Sequence, residues 1–234
     1  MSSYSQVKLP PRLQMLADMV RRGSAVADIG TDHGYLPLYL VQKGIAKRVI
    51  ASDVRLKPLE NAKKNLEPFC AEGLAEVRLS DGLDAFERGE VQDIILAGMG
   101  GDLIVNILAR TEWIKDNGVR LIIQPMTRPE TVRAFLCSYG FKILFESACT
   151  EAQRAYIAMC AVFDGDNEHK GDFVYSYLGE LPSCNTEAAR HYLNKLRKRL
   201  NIREHALKAT GNNEAEAAGL SGVIAGITEI LQDE

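Results

Sequence analysis

Metal-binding and cross-linking residues are scarce in this chain of 234 residues, which holds 4 His and 5 Cys. Cys70, Cys137, Cys149, Cys160 and Cys184 are scattered, with no C-x-x-C pair and few histidines nearby. That spacing argues against a zinc site and a disulfide framework, and implies a reducing compartment. Nowhere do about 18 apolar residues run together, as a membrane-spanning helix requires. The opening MSSYSQVKLPPRL has no apolar core of signal-peptide size. The expectation is a cytoplasmic protein with no membrane and no metal. Excess positive charge is missing too: a net charge of -3 excludes a surface that coats nucleic acid everywhere, but leaves room for a local basic face. Also absent is the G-x-G-x-x-G loop that seats a dinucleotide pyrophosphate on a helix N-terminus.

A chain of this length buries one good core and can carry a small appendage. Leu13, Leu16, Ala17 and Val20 behind Pro10 and Pro11 predict an amphipathic first helix ended by Gly23. Apolar runs then alternate with helical patterns. Strands are expected at Ala25 to Ile29, Arg48 to Asp53, Glu76 to Leu79, Asp93 to Ala97 and Arg120 to Gln124. Helices are expected at Leu36 to Gln42, Leu56 to Phe69, Asp102 to Arg110 and Thr131 to Tyr139. This is an α/β pattern with five parallel strands joined by crossovers. Phe141 to Glu146 and Ala155 to Phe163 add two strands with no helix between them, an antiparallel edge hairpin that makes a mostly parallel seven-stranded sheet. A linker is expected at Asp164 to Gly171, dividing residues 1–165 from residues 166–234. Beyond it, Ala189, Leu193, Leu196, Leu200 and Leu207 form an apolar stripe among Arg190, Lys195, Arg197, Lys198, Arg199, Arg203 and Lys208. After a break at Gly211, Asn212 and Asn213, a second stripe runs from Leu220 to Leu231. Two antiparallel helices zipped along one seam, resembling a coiled coil, are the expected outcome. Gly219, Gly222 and Gly226 weaken the second helix but allow close backbone approach.

The most informative segment is VADIGTDHGY, Val26 to Tyr35, where a buried strand runs into Gly30 and Gly34 with Thr31, Asp32 and His33 between them. The glycines permit a turn and close ligand approach. Two acids, Asp28 and Asp32, suit a cationic ligand better than a diphosphate, which points to S-adenosylmethionine with its sulfonium and ammonium. Asp53 ends the second strand, where an acid accepts the hydroxyls of a ribose; it serves equally as a helix cap. Asp81 and Gly82 follow the third strand, placed either to meet an adenine amino group or simply to turn. The fourth strand ends in LAGMGGD, so Gly98, Met99, Gly100 and Gly101 either admit a flat ligand or form a tight strand-to-helix turn. Gln124, Pro125 and Met126 end the fifth strand as the facing wall of the same cleft. His33 sits inside the glycine loop as a cofactor contact or a structural residue.

In order and spacing, DIGTDHGYLP, ASDV, LSDGL, AGMGG and QPMTRPE resemble the bacterial tRNA adenine-22 N1-methyltransferase family, from Leu9 to about Phe163 and, in layout, through the helical hairpin. The resemblance implies a class I (Rossmann-like) methyltransferase, S-adenosylmethionine as cofactor, tRNA as partner and N1-methyladenine as product. On that basis Asp28 and the Gly30 to Gly34 loop hold the methionine end, Asp53 the ribose and Asp81 the adenine, while Gly98 to Gly101 shape the reaction site. The base must be unpaired or flipped to expose N1. Arg12, Gly100, Gly101, the Gln124 to Met126 segment and Arg128 are the candidates to receive it. Lys195 and Arg199 on the basic helix are candidates for the tRNA backbone, although such a helix equally makes a solvated outer face. No Asn/Asp-Pro-Pro-aromatic element is present, which disfavours an exocyclic amine as target. No cysteine lies in these loops, and no general base or other catalytic residue is identified, because N1 already carries an in-plane lone pair. A nicotinamide-dependent oxidoreductase and a non-catalytic tRNA-binding module are the rival readings. The oligomeric state is left open, with a monomer as the default.

Overall fold

The computed structural model describes residues 7–165, 169–211 and 213–232. Asp166, Asn167 and Glu168 of the expected linker and Asn212 of the expected helix break lie outside the described residues. Pro10 and Pro11 open α1 (Pro11–Met19), since proline has a helical φ and lacks only an N–H that the first turn leaves unused. The helix stops short of Gly23, and Val20 turns extended. The physical reason is Arg21: its backbone N–H (2.8 Å) and its Nε (2.7 Å) both donate to the buried Asp93 carboxylate, drawing the chain down to the foot of the sheet.

The alternating units follow as β1 (Ala25–Ile29), α2 (Tyr35–Gln42), β2 (Arg48–Asp53), α3 (Leu56–Ala71), β3 (Ala75–Leu79), β4 (Asp93–Gly100), α4 (Gly101–Ala109), β5 (Arg120–Thr127), α5 (Pro129–Ser138), β6 (Phe141–Glu151) and β7 (Arg154–Phe163). The sheet order is β3-β2-β1-β4-β5-β7-β6. Strands β1 to β5 are mutually parallel, and β7 runs antiparallel to both of its neighbours. All five residues of β1 are buried, as a central strand covered on both faces requires.

Two strands extend beyond their expected ends. Pairing of β4 with β5 continues through Gly100 and Thr127, with register shifts between Ala97 and Met99 and between Met99 and Gly100. Gly98, at φ 74°, supplies the conformation the irregularity needs, so the glycine-rich segment is a bulged strand end and not a free loop. The β6–β7 hairpin also closes more tightly than expected, with Glu151 paired to Arg154 across Ala152 and Gln153, both at positive φ.

Helices α1, α2 and α3 cover one sheet face through Leu16, Leu40 and Leu66 against Val26, Val49 and Ile95. On the other face, Ile104 and Leu108 of α4 and Val132 and Leu136 of α5 pack on Ile94, Leu96 and Leu121. The same apolar cluster continues into the C-terminal helices α6 (Phe173–Leu178), α7 (Glu187–Thr210) and α8 (Glu214–Gln232). Leu193, Leu196 and Leu200 meet Leu220, Val223 and Ile227 along the hairpin seam, and the whole seam joins the sheet at Ile157 and Met159. Thr186 caps α7 by accepting from the Ala189 N–H (3.2 Å), and Gly211 ends it in the left-handed conformation. Helix α6 was not legible in the sequence because six residues carry too little periodicity. It packs so closely on α8 that a Cβ on Gly219 would stand 2.7 Å from the Phe173 ring.

Candidate active site

The strand order reverses between β1 and β4, and the crevice outside the carboxyl ends of strands at such a point is where open α/β sheets bind ligands. Asp28 stands at this point, buried in β1. Its carboxyl is raised to about 6, mainly by burial; a hydrogen bond from the Thr31 side chain opposes the shift and the neighbouring Asp53 charge adds to it. A buried acid held at this poise favours a cation beside it. Gly30, at φ 76°, ends β1, and the Met99 methyl occupies the space a Cβ there would need. The ends of β1 and β4 therefore touch through a glycine and a methionine.

Asp53 is buried at the end of β2, and its Oδ1 accepts the Arg55 N–H at 2.8 Å. Its second oxygen makes no hydrogen bond among the described residues. Val54, 61 % exposed, and Leu79, 54 % exposed, extend from the adjacent ends of β2 and β3, where the Ser80 N–H donates to the Asp53 carbonyl. Sequence pattern could not distinguish these two from core residues, yet together they offer apolar walls beside the Asp53 carboxylate.

Asp81 is turned toward α4, where Arg110 donates to its carboxylate and to its carbonyl, both at 2.7 Å. Gly82 packs on Ile107, 2.8 Å from where its Cβ would stand, and Gly34 starts α2 against the Ala62 backbone at 3.1 Å. Gly101 is held still more tightly, with the carbonyls of Arg128 and Thr127 at 2.6 and 2.8 Å from a Cβ position. These three glycines are needed for backbone packing. His33 is partly exposed, stacks on Tyr35 at 5.5 Å between ring centroids and lies 3.4 Å from the Asp32 carboxylate.

On the substrate side the structure joins residues far apart in sequence. Gln124 is fully buried, and its Oε1 accepts from Arg12 Nη1 (3.0 Å) and from the Gly98 N–H (3.1 Å). Its Nε2 donates to the Pro125 carbonyl at 3.1 Å. With both ends engaged, Gln124 aims Arg12 and fixes the β4 bulge, so its geometry is that of a positioning group. The Arg12 guanidinium also lies 5.9 Å from the centroid of Tyr156, a residue that no sequence motif marks. Gly100 lies beside Thr127, and Arg128, at φ 53°, pairs with Asp102 at 2.8 Å. Pro125, Met126, Lys195 and Arg199 line one cavity of about 330 Å³ between the end of β5, the start of β7 and α7. Lys195 Nζ donates to the Gln153 carbonyl at 2.7 Å.

No thiol here is an activated nucleophile. Burial pushes Cys137 and Cys160 up to about 11, and raises Cys149, the residue opposite Tyr156 on the hairpin. Among the described residues no cluster of His, Cys, Asp and Glu has the makings of a metal site, and no helix is long and apolar enough to cross a membrane.

Sheet order, switch-point acid and the acid at the end of β2 define a class I methyltransferase, and residues 9–159 match the family model described as a methyltransferase domain. The chain is 32 % identical to the tRNA (adenine(22)-N(1))-methyltransferase of Bacillus subtilis over 75 % of its own length and 77 % of that protein's. It belongs to this family. The crystal structure of the B. subtilis M1A22 tRNA methyltransferase TrmK superposes with a TM-score of 0.81 at 26 % identity, covering 96 % of this chain and 99 % of that one. A Streptococcus pneumoniae structure described as a "putative tRNA (m1A22) methyltransferase, in complex with S-adenosyl-L-methionine" gives 0.78 at 32 % identity, covering 94 % and 98 %.

Proposed function

We propose that this protein transfers a methyl group from S-adenosylmethionine to N1 of an adenine in tRNA, the adenine at position 22. The observation that carries the reading is the buried Asp28 carboxyl at the β1/β4 switch point, next to a glycine turn that offers no dinucleotide phosphate cradle. The residues present fit a cofactor with an ammonium, a ribose and a purine. Asp28 faces the cationic methionine end, the unpaired Asp53 oxygen accepts from ribose hydroxyls, and Val54 and Leu79 flank the purine. Asp81, already held by Arg110, presents its remaining carboxylate capacity to the adenine amino group. When bound, S-adenosylmethionine would supply an electrophilic methyl group: as the in-plane N1 lone pair took it up, the C–S bond would break, its electron pair staying on sulfur as the neutral thioether of S-adenosylhomocysteine and the positive charge passing to the adenine. The chain's own task is alignment: Met99 and Gly30 set the floor, and Gln124 holds Arg12 and the Gly98 bulge at the side from which the base arrives. Helices α7 and α8, within residues 166–234, serve as the tRNA-contacting unit.

Calorimetric titration tests the cofactor reading. S-adenosylmethionine is expected to bind and NAD is not; the reverse order of affinity would overturn it. Asp53→Ala is expected to weaken S-adenosylmethionine binding roughly tenfold to a hundredfold, as loss of hydrogen bonds to a charged acceptor does, with tRNA affinity unchanged. Equal cofactor affinity in the variant would remove Asp53 from the ribose site. On the tRNA side, Lys195→Ala/Arg199→Ala should reduce the slope of log affinity against log salt by about 1 to 2, because each phosphate contact contributes roughly 0.7 to 0.9. A filter-binding salt series reads this directly, and an unchanged slope would place both residues outside the interface.

A further inference from the structure

We infer that Arg110 is a positioning residue for cofactor selectivity, holding the Asp81 carboxylate in the orientation that accepts the adenine amino group, a role that rests on the cofactor reading above. The crossover from β3 to β4, residues 80–92, carries no helix to fix it. Its apolar side is seated by Leu83 and Phe86, both buried, and by Gly82 against Ile107 of α4. Ser80 braces the turn from within, its hydroxyl donating to the Gly82 carbonyl (2.9 Å) and accepting the Ala85 N–H (3.2 Å). None of these contacts reaches the Asp81 side chain, which is exposed.

Arg110 supplies what is missing. Its Nη2 donates to the Asp81 carbonyl and to Asp81 Oδ1, each at 2.7 Å, and its Nε lies 3.2 Å from Asp84 Oδ1. A planar fork held at three points on one turn has a fixed orientation, which an ammonium on a flexible stem does not reproduce. The carboxylate is thus tied through one oxygen to the backbone beside it. Its second oxygen makes no hydrogen bond among the described residues and is left for a ligand. An isolated exposed ion pair adds little to stability, so the effect of this one lies in orientation: an untethered carboxylate turns freely, and a ligand that binds it must bear the entropy of ordering it. Helix α4 also links the two ends of the crevice. Gly101 opens it directly after the β4 bulge, and Arg110 follows its last residue, so the group that aims Asp81 is built on the helix that begins at the reaction-site glycines.

The test is calorimetric titration of two ligands, S-adenosylhomocysteine and its analogue in which hydrogen replaces the adenine amino group, into the native chain, Arg110→Met and Arg110→Lys. The native chain is expected to prefer S-adenosylhomocysteine roughly tenfold to a hundredfold, the worth of one hydrogen bond to a charged group. In Arg110→Met that preference should shrink roughly threefold to tenfold, the worth of ordering one side chain. The change should come from weaker binding of S-adenosylhomocysteine, with affinity for the analogue unchanged. Arg110→Lys, which keeps the charge but not the fork, should lose as much of the preference. A purely structural role would weaken both ligands alike. That result, or the native preference retained in either variant, would overturn the positioning role. A native chain that binds the two ligands equally would instead overturn the Asp81 assignment, and one that binds neither would overturn the cofactor reading itself.

Discussion

Asp28→Asn is expected to bind S-adenosylmethionine roughly a hundredfold or more weakly, while melting no lower than the native chain at pH 8. The two halves of this expectation have one cause. Burial raises the Asp28 carboxyl to about 6 against an ordinary value of 3.8, so the folded chain without ligand holds this proton more tightly than the unfolded chain does. Stability from this group is therefore full below the unfolded value and declines as pH rises from about 4 to about 6; above that the ionised, buried carboxylate is a standing penalty. The difference between those two values corresponds to about 3 kcal/mol, which asparagine removes together with the attraction for an ammonium. The same poise gives cofactor affinity a pH dependence. Binding of a cation favours ionised Asp28, so affinity should fall as pH drops below about 6, approaching tenfold per unit. Titrations at pH 5 and pH 8 check both statements. Affinity independent of pH in the native chain, or intact binding by Asp28→Asn, would dissociate Asp28 from the cationic ligand.

Arg133→Met is expected to produce the largest loss of stability, about 3 to 5 kcal/mol. Arg133 and Glu146 are both buried, with Arg133 Nε 3.0 Å from Glu146 Oε1. Arg133 Nη1 also donates to the carbonyls of Ser176 (3.1 Å) and Tyr177 (2.9 Å), and Glu146 accepts the Glu180 N–H at 2.8 Å. The pair thus fastens α5 and β6 to the segment that leads into the helical hairpin. Gly179, at φ 53°, passes so near both side chains that a Cβ has no room. Removing the guanidinium leaves a buried carboxylate with no counter-charge and only the Glu180 N–H to bind, and takes the side-chain donor from two backbone carbonyls. For a chain of this size the midpoint should drop by about 10 °C or more. Replacing both partners in Arg133→Met/Glu146→Leu should recover part of the loss, because the stranded charge is gone while the carbonyls still lack that donor. Differential scanning calorimetry distinguishes the outcomes; a single variant as stable as the native chain would show that the pair does not hold the hairpin junction.

The parallel half of the sheet was legible because buried central strands read as apolar runs that stop at a polar residue. For the same reason Asp28 and Asp53 announced themselves at strand ends. The hairpin seam was equally plain, since Leu193, Leu196 and Leu200 recur at helical spacing. What the sequence concealed depends on contacts between distant segments. Gln124 and Arg12 were named separately, but nothing in a linear reading pairs residues 112 positions apart or shows that Gln124 is spent on holding its neighbours. The glycines divide in the same way. Gly30 and Gly98 have backbone roles at the crevice, whereas Gly34, Gly82 and Gly101 are explained by a neighbouring helix or turn that only the fold brings near. Nothing in the linear sequence marks Arg133, which is buried only because β6 and α6 enclose it in the fold. Val54 and Leu79 are apolar like their buried neighbours, and only their place at the carboxyl ends of β2 and β3 leaves them open.

Mass-spectrometric mapping of nucleosides in unmodified tRNA, incubated with the purified protein and isotopically labelled S-adenosylmethionine, tests the central claim most directly. The expected result is one labelled methyl group per accepted tRNA, on N1 of the adenine at position 22. Transfer to an exocyclic amine or to another position, or tRNA binding with no transfer, would contradict it.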